Sequence, residues 1–176
     1  MSVTAVRGAD AAKPAGPLDF TLTGNDGKPF DLGTLRGKVV LLVNVASKCG
    51  LTPQYTELQA LHERYQARGL VVLGVPANDF GAQEPGTDAE IRTFCTSKYN
   101  VTFPLLSKIS VKGDAMHPLY RWLTVSSPKT GDIAWNFTKF LIGRDGAVID
   151  RFEPKVTPGS ADVAAAIEKA LGPEKK

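Results

Sequence analysis

Apolar and polar positions change their period several times along the chain, and each change marks an element. Asp19-Phe20-Thr21-Leu22-Thr23 alternates in twos, as a half-buried strand does. Asn25-Asp26-Gly27-Lys28 behind it carries hairpin-turn chemistry, and Pro29-Phe30-Asp31-Leu32 supplies the second limb. Over 38–46 the alternation gives way to a continuous run of β-formers, the pattern of a central strand covered on both faces. Thr52 and Pro53 read as the N-cap and first residue of a helix. Tyr55, Leu58, Leu61, His62 and Tyr65 follow at helical spacing, and Gly69 stops it. A second buried run covers 70–75. Thr87-Asp88-Ala89-Glu90 is a capping box, opening a helix on which Ile91, Phe94, Cys95 and Tyr99 share one face. The pattern further predicts a short strand over 101–103 and a helix over 117–125. A hairpin with limbs at 137–142 and 148–152 follows, and then a last helix from the Ser160 cap to Leu171.

Strands alternating with helices, closed by a hairpin and a helix, specify an α/β fold with a central mixed β-sheet flanked by helices and an N-terminal β-hairpin. The 176 residues suffice for one domain, placed over 17–172, behind a loose arm over 1–16 that is rich in Ala, Gly and Lys without period. A net charge of +3 is spread along the chain, and the only basic run is Lys175-Lys176, which argues against a nucleic-acid surface. No apolar run approaches the roughly 20 residues of a membrane helix, so no stable membrane association is expected. Residues 1–7 lack the apolar core of a secretory signal, which points to the cytoplasm, where thiols stay reduced. His62 and His117 are not at metal-ligand spacing. They read as surface or capping residues, and no metal site is expected.

Two cysteines, Cys49 and Cys95, do not make a disulfide scaffold. Cys49 stands between the first buried strand and the first long helix, the place where thioredoxin-like folds carry a reactive thiol. A Cys-x-x-Cys pair is absent, because Cys49-Gly50-Leu51 is followed by Thr52. The polar neighbours Ser47, Lys48 and Gly50 favour a reactive thiol over a packed one. An unperturbed thiol is only about 3% thiolate at neutral pH. A helix N-terminus favours a nearby anion by roughly 0.3–1 kcal/mol, and by ~2 kcal/mol at most. Further donors must therefore be aimed at the sulfur, with Lys48, distant amides and indoles as candidates.

Three stretches carry a family resemblance: Asn44-Val45-Ala46-Ser47-Lys48-Cys49-Gly50-Leu51-Thr52, Phe80-Gly81-Ala82-Gln83-Glu84-Pro85-Gly86 and Trp135-Asn136-Phe137-Thr138-Lys139-Phe140-Leu141. In order and spacing they resemble the glutathione peroxidases, over about residues 18–170. The resemblance implies a thioredoxin-like fold and a thiol peroxidase that reduces hydrogen peroxide and organic hydroperoxides. Cys49 matches the peroxide-reducing position, surrounded by Gln83, Trp135 and Asn136 with donors in reach of its sulfur. Lys48, Gly50 and Asn78 take supporting places. Cys95 matches the resolving cysteine of the thioredoxin-dependent branch. No cofactor is implied, because the reductant is a thiol co-substrate, thioredoxin or else glutathione. The chain departs from the family at Asp79, whose carboxylate is expected to face away from the sulfur. The segment 113–135 is also short, lacking the insertion of tetrameric, glutathione-using members. This implies a monomer with an open site, and thioredoxin over glutathione. Cys95, facing inward on its helix, is expected to start beyond the ~7 Å between Cα atoms that a disulfide tolerates. Two other readings share these residues: a peroxide sensor passing its disulfide to a partner protein, and an inactive thioredoxin-like binding module.

Overall fold

The computed structural model describes residues 12–174. The first eleven residues of the expected arm, and the Lys175-Lys176 pair, lie outside the described residues. The end of the arm is tied down rather than loose. Asp19 accepts hydrogen bonds from the N–H groups of Ala15 (2.7 Å) and Gly16 (2.9 Å) and pairs with Arg36. The Gly16 and Ala15 amides hold the Asp19 carboxyl below its usual range.

The N-terminal hairpin pairs β1 (Thr21–Thr23) with β2 (Pro29–Asp31), with Leu22 opposite Phe30. The main sheet has the order β4-β3-β5-β6, built from β3 (Val39–Val45), β4 (Leu70–Pro76), β5 (Lys139–Ile142) and β6 (Val148–Phe152). β3 and β4 run parallel, which demands a crossover, and α1 (Gln54–Tyr65) supplies it. The other two pairings are antiparallel. Every β3 residue is buried, and alternate side chains feed two cores. Val39, Leu41, Val43 and Val45 pack with α1, α2 (Asp88–Tyr99) and α4 (Ala161–Leu171). Val40 and Leu42 pack with Leu22, Leu106 and Leu119 on the opposite face. That two-sided burial is why β3 shows no alternation. No helix among the described residues is long and apolar enough to cross a membrane.

Three expectations shift. The strand over 101–103 does not form, because its backbone groups are claimed elsewhere. The Val101 N–H closes the end of α2 on the Cys95 carbonyl (3.2 Å), and the Thr102 N–H goes to Gln59 Oε1 (2.9 Å). Pairing moves on to Leu105 and Leu106, as single bridges to Gly74 and Gly24. A side chain at 74 would force a rearrangement there, since a Cβ would lie 2.5 Å from Leu105 Cδ2. The helix expected over 117–125 is α3 (Pro118–Arg121), capped by His117 Nδ1, followed by a π-helical turn Trp122–Ser126. In that turn Thr124 and Ser127 hydroxyls bond to carbonyls four residues back. Lastly, β5 begins at Lys139 rather than 137, because Phe137 adopts φ +67°.

Candidate active site

The chain leaves β3 and reverses over 46–53 before α1 begins. Thr52 does not cap α1, as the sequence suggested, because its hydroxyl is committed to this loop. Thr52 Oγ1 donates to the Ala46 carbonyl (2.8 Å) and accepts from the Cys49 N–H (3.0 Å). Its own N–H returns to the Cys49 carbonyl (3.0 Å). Cys49 is thereby held half-buried, with its sulfur accepting from the Leu51 N–H at 3.3 Å. The flanking Lys48 and Gly50 are exposed. The Lys48 N–H reaches the Gln83 carbonyl (3.0 Å), joining this loop to the next.

Gln83 and Asn136 are brought together, 53 residues apart in sequence. Asn136 is completely buried and its Nδ2 donates to Gln83 Oε1 at 2.8 Å. Neither amide hydrogen-bonds to the Cys49 sulfur, and nor does the Trp135 indole. The expected donation to sulfur is replaced by pairing between the two amides, with a backbone N–H serving the sulfur. Trp135 is 39% exposed and leans on Phe80, ring centres 5.4 Å apart. With Cys49, Gly50, Leu51, Ala134 and Pro154 it bounds an open, largely apolar pocket of about 660 Å³, with Glu153 and Lys155 also on its wall.

Strained backbone accompanies both amides. Ala82 (φ +52°) precedes Gln83 and Phe137 (φ +67°) follows Asn136. Such conformations cost about 1–3 kcal/mol each and persist only where their surroundings over-determine them. At Phe137 the restraints are explicit. Its N–H goes to the Asn44 carbonyl (2.6 Å), its carbonyl accepts from Lys139 Nζ (2.7 Å), and its ring meets Tyr55 edge-on at 5.7 Å. Lys139 is fully buried, and its ammonium also donates to the Val156 (2.6 Å) and Pro154 (3.3 Å) carbonyls. Burial pulls its pKa down to about 8, against the opposing pull of Glu57 and Glu153. Asn44 Nδ2 and Thr138 Oγ1 both donate to the Trp135 carbonyl at 3.1 Å.

Asn78 closes the Gln83 loop by accepting from the Glu84 N–H (2.8 Å). Asp79 is taken up by Ser110 Oγ (2.7 Å) and the Val111 N–H (2.8 Å), which commits its carboxylate to that segment. Cys95 lies on the buried face of α2, inside the core and absent from the wall of the Cys49 pocket. Both thiols are free. Burial pushes the Cys95 thiol up to about 11; the adjacent Tyr55 hydroxyl works against that and the Glu84 charge adds to it. In the reduced protein at pH 8, iodoacetamide is expected to modify Cys49 and leave Cys95 untouched. Equal labelling of the two, read by peptide mass spectrometry, would contradict a closed α2.

Sequence reasoning missed Asn44, Thr52 and Lys139 as parts of this site's frame. A signal existed for two of them: Asn44 interrupts one apolar strand and Lys139 opens another, and a polar group buried there needs partners.

A mixed sheet with a solitary thiol at the C-terminal end of β3, heading α1, defines a thioredoxin-like protein without the vicinal thiol of a disulfide exchanger. The family model for glutathione peroxidase matches residues 18–124. The chain is 54% identical over 156 residues to hydroperoxy fatty acid reductase Gpx2 of Synechocystis sp., covering 89% of this chain and 99% of that one. Thioredoxin/glutathione peroxidase BtuE of Escherichia coli is 45% identical over 168 residues, covering 83% of this chain and 92% of the relative. The crystal structure of Trgpx in apo form matches with a TM-score of 0.73 at 38% identity, over 90% of this chain and 97% of that one. This chain belongs to the glutathione peroxidase family.

Proposed function

We infer that the protein is a thiol peroxidase in which Cys49 reduces hydrogen peroxide and organic hydroperoxides. The Cys49 thiolate attacks one peroxide oxygen. An S–O bond forms, the O–O bond breaks, and the departing oxygen leaves as water or an alcohol. The Cys95 thiol then attacks the sulfenic sulfur. An S–S bond replaces S–O, and the thiol proton leaves with the hydroxide as water. Thioredoxin, with glutathione as the second candidate, returns the disulfide to two thiols. The electrons come from these thiols, so no prosthetic group is required.

The observation that carries this reading is the environment of one thiol. Cys49 opens onto a pocket beside Trp135; its neighbour Lys48 bonds to the Gln83 backbone, and Asn136, the neighbour of Trp135, bonds to the Gln83 side chain. Fixed amide and indole dipoles stabilise charge as it moves between sulfur and oxygen without reorganising at the moment of reaction. The pocket's apolar wall of Leu51, Ala134, Trp135 and Pro154 suits the carbon chain of an organic hydroperoxide. The names of the relatives, a hydroperoxy fatty acid reductase and a thioredoxin/glutathione peroxidase, support the same substrate and reductant classes. The short 113–135 segment supports a monomer, and the free thiols suit a cytoplasmic setting.

Stopped-flow peroxide consumption with thioredoxin or glutathione as sole reductant tests the reading. Turnover is expected with thioredoxin and slower turnover with glutathione. No consumption with either would overturn it.

A further inference from the structure

Glu84 follows Gln83 directly, yet its carboxyl takes no part in the arrangement described above. The residue is 1% exposed, and carboxyl oxygen Oε2 is buried without a hydrogen-bond partner. It lines a pocket of about 380 Å³ between two walls. One is formed by Ser47, Lys48, Pro85 and Gly86, beside Cys49; the other by Glu90, Ile91 and Phe94 of α2. Cys95 is the residue after Phe94. The pocket is therefore a seam between the loop of one thiol and the helix of the other.

We propose that Glu84 is a positioning residue for disulfide formation: a buried carboxyl that, when charged, weakens the closed packing of α2 on the Cys49 loop. The proposal rests on Cys95 being the resolving thiol. It rests equally on α2 yielding to bring that thiol out, since Cys95 is buried in the core and does not line the Cys49 pocket. The charged and polar groups facing Glu84 do not offset its burial. Lys108 Nζ is committed to the Glu84 and Gly86 carbonyls (3.0 and 2.7 Å), and Lys48 is exposed. From α2, Glu90 is held on the Thr87 N–H (2.7 Å), while Cys95 and, from α1, Tyr55 both feel the Glu84 charge. Burial therefore raises the Glu84 carboxyl above its ordinary 4.5; Ser47 is the main opposing influence, with Lys108 and Lys48 behind it.

Opening the seam admits water and returns the carboxyl to its ordinary value. Between that value and the raised one, the open form holds fewer protons than the closed form. Opening then releases a proton and becomes easier as pH rises, levelling off above the raised value. Below 4.5 both forms are protonated and the bias vanishes. Burial, with a smaller contribution from the same charge, holds Cys95 as a thiol while the core is closed, so ionisation of Cys95 waits for the opening.

The test compares wild type with Glu84→Gln after one equivalent of peroxide, timing sulfenic acid formation and Cys49–Cys95 bridging separately between pH 4.5 and 7.5. The peroxide step is expected to be unchanged. Bridging should be slower in the variant, and the ratio of wild-type to variant rates should climb with pH and then flatten. About fivefold at the plateau lies within the tenfold per pH unit that one proton allows. Amide exchange in α2 of the wild-type protein, corrected for intrinsic rates, gives a reading that does not depend on the variant folding. Protection should be weaker at pH 7 than at pH 5. Bridging at a constant rate ratio, or pH-independent protection of α2, would overturn the role of Glu84 alone. Failure of both proteins to bridge would remove the resolving role of Cys95 and this proposal with it.

Discussion

Cys95→Ser is expected to consume one equivalent of peroxide and then stall, losing thioredoxin-driven turnover by roughly a hundredfold or more, the scale of losing a group the reaction forms a bond to. Serine is close to cysteine in size, and the Tyr55 hydroxyl stands beside the position, so a new hydroxyl there has a neighbour to bond to. The fold should therefore survive. What the variant lacks is a second sulfur to convert the Cys49 sulfenic acid into a disulfide that thioredoxin can reduce. The sulfenic acid should persist long enough for dimedone to trap it, and excess peroxide should drive it on to sulfinic acid. Full turnover by this variant would leave Cys95 as a core residue only.

Asn136→Ala is expected to slow peroxide reduction by roughly tenfold or more, the typical effect of removing one preorganised donor. Asn136 has no exposed surface, and its Nδ2 is what fixes the Gln83 side chain. Truncation leaves Gln83 Oε1 without that donor and frees the amide to turn. A stability loss of about 1–3 kcal/mol should accompany it, since a buried partner is left unpaired. Urea unfolding beside stopped-flow rates separates the two effects. A wild-type rate constant in a folded variant would sink the electrostatic role assigned to the pair.

How much of this was legible in the sequence depends on the range of the forces involved. β3 was readable because burial on both faces leaves an unbroken apolar run, and α2 because its capping box is complete within four residues, as Thr87 and Glu90 show. The inward face of Cys95 followed from helical spacing alone. Thr52 was misread because a hydroxyl at a helix start is ordinarily a cap; only the fold brings Ala46 and Cys49 to compete for it. The failed strand at 101–103 has the same origin, since Gln59 reaches Thr102 across 43 residues. The left-handed turn at Phe137 carries no local signal, being held by Asn44 and Lys139 against the preference of its own side chain. The three motifs placed Gln83, Trp135 and Asn136 in one region but could not say that the two amides bond to each other.

The proposed cycle turns on Cys49 taking the oxygen and on Cys95, leaving the core, resolving it within the same chain. The most direct test is the intact mass and peptide map of the reduced wild-type protein after one equivalent of hydrogen peroxide. The expected product is a monomer lighter by the two thiol hydrogens, with the Cys49 and Cys95 peptides joined. A product carrying oxygen on Cys49 with Cys95 still a free thiol, or two chains bridged through Cys49, would contradict it.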